Sequence, residues 1–144
     1  MSRLNPLSYE ELLARDGYFV GPPVGVSMNP LLRMGRDVMV IRPCERPHFL
    51  DVVLFRRDDG TYVLHRIVGR TAKGYTLRGD NQFFNEYGVR QEQILGRMSD
   101  FCRNGKTISC KRPSVVLYGF LRWVYCSAGV LLVRVKRRMI RFRS

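Results

Sequence analysis

The spacing of apolar positions changes twice along the chain, and the changes mark out three regions. In the first, Ser8 and Glu11 have the spacing of a capping box, and Leu7 and Leu12 the spacing of a hydrophobic staple. Asp16-Gly17 closes this short helix, with Gly17 suited to a left-handed cap. Residues 18–20 form a brief apolar run before Gly21-Pro22-Pro23, readable as a strand or as the wall of a groove. From residue 38 to 103 the period becomes that of β structure. Residues 38–41, 52–56, 62–68, 74–77 and 94–101 are short runs rich in β-branched and aromatic side chains. Asp58-Asp59-Gly60 separates two of them and signals a hairpin. In its second arm, alternation puts Val63, His65 and Ile67 on one face and Tyr62, Leu64, Arg66 and Val68 on the other. Short strands at this spacing predict a mainly β fold, a coiled antiparallel sheet or partial barrel.

The third region starts at Pro113. Residues 114–133 are mainly apolar and predict a C-terminal hydrophobic helix, followed by Arg134, Lys136, Arg137, Arg138, Arg141 and Arg143. Twenty residues reach across a bilayer core, but Arg122 near the middle costs about 2.5–3.5 kcal/mol there. The segment can span a membrane, lie in its interface or pack on the domain. Tyr118, Arg122, Trp123 and Tyr125 suit the interface, where rings and a snorkelling guanidinium find both apolar and wet surroundings. The expected organisation is thus an N-terminal helix at 1–17, a domain at 18–112 and a hydrophobic, basic tail at 113–144.

Charge sharpens that division. The chain of 144 residues carries +13, yet residues 1–100 hold 14 basic and 12 acidic side chains, and the last 44 hold 11 basic and none acidic. The charge belongs to the tail, and the basic run fits anionic headgroups. A near-neutral sheet lacks the interleaved basic and aromatic residues of an RNA-binding surface, so no nucleic-acid partner is expected. Cys44, Cys102, Cys110 and Cys126 form no paired motif and have no histidine cluster beside them; no metal and no cofactor is expected, and packed free thiols are. Residues 1–16 intersperse Arg3, Glu10, Glu11, Arg15 and Asp16 and contain no apolar core of a secretory signal. A membrane-associated or cytoplasmic location follows.

Three local patterns carry chemistry. Gly25-Val26-Ser27-Met28-Asn29-Pro30-Leu31 places a serine in a Gly/Pro loop, where a sharp turn can present Oγ and neighbouring N–H groups can hold an oxyanion. Such a serine is more often an ordinary turn residue. His65 sits on an apolar strand face; most such histidines are core residues, but one held between Val63 and Ile67 is also placed to act as a general base. His48, in a Pro/Arg-rich loop, reads as surface. Arg78-Gly79-Asp80-Asn81 reads as a turn whose carboxylate could orient an imidazole.

Taken in order, these boxes resemble those of the signal peptidase I family. The segment around Ser27 resembles the nucleophile box. Asp51-Val52-Val53-Leu54-Phe55 resembles a conserved strand, His65-Arg66-Ile67-Val68 the base box, and Arg78-Gly79-Asp80-Asn81 the G-D-N box. The resemblance covers residues 19–101, and histidine at 65 points to the Ser–His branch typical of endoplasmic-reticulum and archaeal members. It implies the signal peptidase/LexA type of fold and a serine endopeptidase that removes a signal or leader peptide, with Ser27 as nucleophile, His65 as base and Asp80 in support. Gly25, Val26, Met28 and Pro30 would contact substrate. The implied partner is a precursor with an extended segment, added as a strand beside the serine loop, with small residues at the first and third positions before the cut. The departures are Leu50 where the family has glycine, Gln82-Phe83-Phe84-Asn85-Glu86 where an aspartate is usual, and a hydrophobic segment at the C-terminal end. Asp80 alone, Asn85 or Glu86 are the candidates to orient His65. A LexA-like self-cleaving protein and an inactive membrane- or nucleic-acid-binding module are the rival readings; the 26 residues before Ser27 contain no Ala-Gly or Cys-Gly bond for self-cleavage.

Overall fold

A computed structural model describes residues 7–142; Arg3 and Arg143 of the sequence reading lie outside the described residues. Helix α1 (Tyr9–Asp16) is capped as its residues dictate. The Ser8 amide donates to Glu11 Oε2 at 2.7 Å, the Glu11 amide donates to Ser8 Oγ at 3.2 Å, and Gly17 closes the helix at φ 75°. Leu13 is its buried residue, and Tyr9 meets Phe19 and Tyr62 edge-on, which seats α1 against the sheet.

The strands are β1 (Phe19–Gly21), β2 (Asp37–Arg42), β3 (Val52–Arg56), β4 (Tyr62–Thr71), β5 (Gly74–Arg78), β6 (Glu86–Val89), β7 (Ile94–Arg103) and β8 (Lys106–Ser109). They form one open antiparallel sheet in the order β1-β2-β7-β3-β4-β5-β6, with β8 also on β7. The long β7 organises it. One edge of β7 pairs with β2; the other pairs with β3 near Ile94–Arg97 and with β8 from Asp100 onward. Register shifts interrupt four ladders, at Val40/Ile41, Leu54/Phe55, Ile67/Gly69 and Tyr75/Leu77, while β3–β4 between them is regular. Each bulge adds local twist, which coils the sheet without closing it.

Coiling gives the sheet an apolar cluster on each face. Met39, Ile41, Val52, Leu54 and Leu64 join Met28, Leu31 and Leu32 in one cluster; Val53, Phe55, Ile67, Tyr75 and Leu77 make the other. The alternation expected of β4 holds, with Leu64 in the first cluster and Val63 and Ile67 on the second. The hairpin turns where Asp58-Asp59-Gly60 predicts, with Gly60 at φ 87° and Asp59 accepting from the Thr61 amide at 2.9 Å.

Helix α2 (Pro113–Arg141) extends eight residues beyond the apolar stretch because the basic run continues it. Gly119, Cys126 and Val130 are its buried residues, and everything from Leu131 to Arg141 is exposed. Its inner face meets Arg66 and Asp80, an ion pair with both side chains at least 94 % buried and N–O distances of 2.7 and 2.8 Å. Gly119 leaves room for the Arg66 guanidinium, and Tyr118 presents its ring to it at 6.0 Å. Replacing Arg66 by Met strands a buried carboxylate and is expected to cost about 3–5 kcal/mol, whereas the Arg66→Met/Asp80→Leu double variant recovers most of it. Urea unfolding midpoints check this; a double variant as unstable as the single one contradicts the assignment.

Candidate active site

Ser27 reaches its place through contacts on both sides of its loop. Gly25 precedes it at φ 71°, a turn that glycine makes without strain. Met28 follows it into the core, 1 % exposed, and so anchors the loop. Farther on, Arg36 and Arg103 both donate to the Leu31 carbonyl and both bind the buried Asp37 carboxylate. Burial opposes ionisation of Asp37, but these hydrogen bonds hold its pKa well below the usual carboxylate range.

The G-D-N box fixes the serine from the other side. The Asn81 amide donates to the Ser27 carbonyl at 2.8 Å. A methyl group on Gly79 would sit 2.7 Å from that carbonyl oxygen and 2.9 Å from Ser27 Cβ, so only glycine lets the two loops lie flush. Ser27 Oγ, half-buried, donates a long 3.4 Å hydrogen bond to the Leu64 carbonyl, one residue before His65.

Ser27 and His65 line one open cleft of about 430 Å³, together with Gly25, Val26, Arg57, Val63, Asn81 and Gln82. Of the candidate substrate contacts, Gly25 and Val26 belong to this lining; the Met28 side chain is in the core and Pro30 lies outside the lining. His48 is on the surface, its side chain 76 % exposed.

The His65 imidazole is 2 % exposed and packs by Phe55, ring centroids 5.9 Å apart. Burial pushes its pKa down to about 4, against the opposing charge of Glu86 and with help from Arg57. It is therefore neutral at pH 7. Its Nδ1 has no hydrogen-bond partner and lies 3.7 Å from Glu86 Oε2. With an uncharged ring, that contact is neither an ion pair nor a hydrogen bond. Glu86 itself is held by Arg57 through a two-pronged pair at 2.7 and 2.9 Å.

The carboxylate expected to support His65 is engaged elsewhere. Asp80 binds Arg66 with both oxygens, and its carbonyl accepts from Arg122 and, at 3.5 Å, from Cys126 Sγ. Asn85 accepts from Arg78 at 3.3 Å and donates to Tyr87 at 3.0 Å. Of the three candidates to orient the imidazole, Glu86 is the one that faces it. Arg57 directly precedes the Asp58-Asp59-Gly60 turn, a signal of a hairpin and not of chemistry, so nothing in the sequence marks it as a site residue. Glu86 had only its nearness to the G-D-N box as a signal. Leu50, before Asp51, has φ 72°, a left-handed bend that glycine would adopt with less strain. The four cysteines are free, and no cluster of three or more His, Cys, Asp or Glu that could hold a metal occurs among the described residues.

The depressed His65 pKa makes stability pH-dependent. The unfolded chain takes up a proton near pH 6.5 and the folded one near pH 4. Stability is thus insensitive to His65 above pH 6.5, declines between 6.5 and 4, and levels below that, a loss of roughly 3 kcal/mol. Denaturation curves of wild type and His65→Gln should converge in slope above pH 6.5 and diverge across this window; parallel curves down to pH 4 contradict the buried neutral imidazole. No protein-family model matches the chain, and no curated protein does, so the reading of this site rests on its residues and their geometry.

Proposed function

We propose that the protein is a membrane-associated serine endopeptidase, resembling signal peptidase I, that cuts a signal or leader segment from a precursor by a Ser27–His65 mechanism. The observation that carries the reading is that Ser27 and a neutral, buried His65 line one open cleft. The resemblance, three of whose four boxes contribute residues to the cleft lining, adds the reaction class.

Ser27 Oγ attacks the scissile carbonyl as its proton passes to the imidazole, forming a tetrahedral intermediate. The amide of Ser27 would help bind the oxyanion. The imidazolium then donates its proton to the leaving amine, which frees the acyl-enzyme, and water activated by the same imidazole hydrolyses it. An imidazolium in so apolar a place needs a counter-charge. A shift of under 1 Å would bring His65 Nδ1–H into hydrogen-bond range of Glu86, and catalytic contacts commonly tighten only with substrate bound. Glu86 acts as a positioning residue, and Asp80 as the clamp that keeps the G-D-N box against Ser27.

Strand β1 suits the expected substrate geometry. It is an edge strand, paired only with β2, and it leads directly into the serine loop. An extended precursor can add to it by backbone hydrogen bonds. Helix α2 is long and apolar enough to cross a membrane, which fits the proposed membrane association.

The test is mass spectrometry of a degenerate peptide mixture and of candidate precursors incubated with wild type and Ser27→Ala. Cleavage by the first and none by the second, with equal melting temperatures, is the expected outcome; activity retained in Ser27→Ala overturns the mechanism. Glu86→Gln should lower kcat roughly 10–100-fold with little change in KM, and should move the acid limb of the pH profile downward, because the charge that raises the His65 pKa is gone. Gly79→Ala should lower kcat by about 100-fold, the scale expected when a nucleophile is displaced by an ångström, and steady-state kinetics on the same peptide would read it.

A further inference from the structure

Helix α2 divides into two faces as far as Val130, beyond which it is exposed all round. Val115, Gly119, Arg122, Cys126 and Val130 follow the spacing of one helical stripe, and this stripe lies on the domain. Its contacts there are polar as well as apolar. Arg122 donates to the Asp80 carbonyl, and Arg78 Nη2 donates to the Trp123 carbonyl and to Ser127 Oγ, both at 3.1 Å. Gly129 lies flush on the Phe83 ring.

The opposite face is apolar from end to end. Leu117, Leu121, Val124, Leu131, Val135 and Met139 recur at helical spacing and are 47–62 % exposed. Around the C-terminal half of this stripe stand Arg134, Lys136, Arg137 and Arg138, and no acidic residue follows Asp100 anywhere in the sequence. An apolar stripe bordered by cations is the pattern of a helix lying flat in a bilayer interface, its apolar side in the acyl boundary and its cations among anionic headgroups.

A bilayer-crossing placement fits the domain contacts poorly. The residues that would sit at mid-membrane, near Arg122 and Cys126, are those bonded to Asp80 and Arg78. To span, α2 would have to leave the domain and take Arg122 into the hydrocarbon. Lying flat keeps every one of these bonds and covers the exposed stripe.

We infer that α2 is an in-plane docking helix, seated between the domain and an anionic lipid surface, with the Leu117–Met139 stripe facing the acyl chains. This deepens the membrane association proposed above and does not depend on the peptidase reading. It also has a geometric corollary. The Asp80 peptide that receives Arg122 is followed by Asn81 and Gln82 of the cleft, so docking holds the cleft close above the headgroups.

Two measurements test it on the full chain. In flotation with phosphatidylcholine vesicles containing or lacking phosphatidylglycerol, wild type is expected to bind the anionic vesicles at least tenfold better and to dissociate as salt rises. Lys136→Gln/Arg137→Gln/Arg138→Gln should weaken that binding about a hundredfold, at roughly fivefold per lost cation. Leu131→Glu should abolish it while leaving cleavage of a soluble peptide unchanged. Spin labels at Leu117, Val124, Leu131 and Met139, with Cys44, Cys102 and Cys110 replaced by alanine and Cys126 buried, should report one shared, shallow depth. A depth greatest at Val124 and falling toward both ends means spanning and overturns the proposal. So does absence of vesicle binding together with self-association that Leu131→Glu removes, or with salt-sensitive binding to DNA or RNA. Loss of peptidase activity with vesicle binding intact counts against the Ser27 mechanism alone.

Discussion

The buried pair of Arg66 and Asp80 ties strand β4 to the turn that leaves its ladder neighbour β5, and ties both to helix α2, which is in no ladder with them. Arg66 belongs to β4, beside His65; Asp80 belongs to the loop that backs Ser27. The same guanidinium donates to the Leu50 carbonyl at 2.9 Å and takes Gly119 of α2 against its face. Removing two charges from water is costly, and only close geometry with saturated hydrogen bonds offsets it. Here all the oxygens of the Asp80 carboxylate and carbonyl are engaged. Burial works against the charged guanidinium, yet its bonds to Asp80 hold its pKa above the ordinary arginine value. A pair so enclosed tolerates few arrangements, and the arrangement it selects sets β4, the serine loop and the C-terminal helix relative to one another.

Two carboxylates near one histidine therefore hold different offices. Asp80 gives both carboxylate oxygens to Arg66. Glu86 is held at both oxygens by Arg57, including the Oε2 that faces His65, and burial outweighs its charge at His65. The consequence is a resting imidazole without charge and without a partner on Nδ1. Such a group stays uncharged until the pH falls to about 4.

Much of the fold was legible because it follows from local rules. Ser8 with Glu11, Gly17 and the Asp-Asp-Gly turn act through their own neighbours, and β3 appears with the bounds its β-branched run suggests. Strands β6 and β8 were not legible. Glu86-Tyr87-Gly88-Val89 has a glycine at φ 71° and one buried residue, and β8 is an exposed edge, so each is a strand only because a neighbour offers a ladder. In the site, Ser27 and His65 each read alone as an ordinary turn or core residue, and only the order of the four resembling boxes singled them out. The choice between Asp80 and Glu86 was not legible, because it depends on where Arg66 and Arg57 spend their hydrogen bonds, a tertiary fact that no spacing encodes. The tail shows the same limit: its apolar run was plain, but that Arg122 would turn inward to a backbone carbonyl was not.

Leu50 draws two oddities of the chain together. Holding a branched side chain in left-handed backbone costs about 1–2 kcal/mol where glycine would cost little. That side chain borders the same small cavity as Val115 and Val116 at the start of α2, while its carbonyl accepts from Arg66. A glycine would keep the bend and offer the helix nothing to rest on. Leu50 and the start of helix α2 are thus coupled twice, through the cavity they share and through Arg66, so a change at either end would be felt at the other.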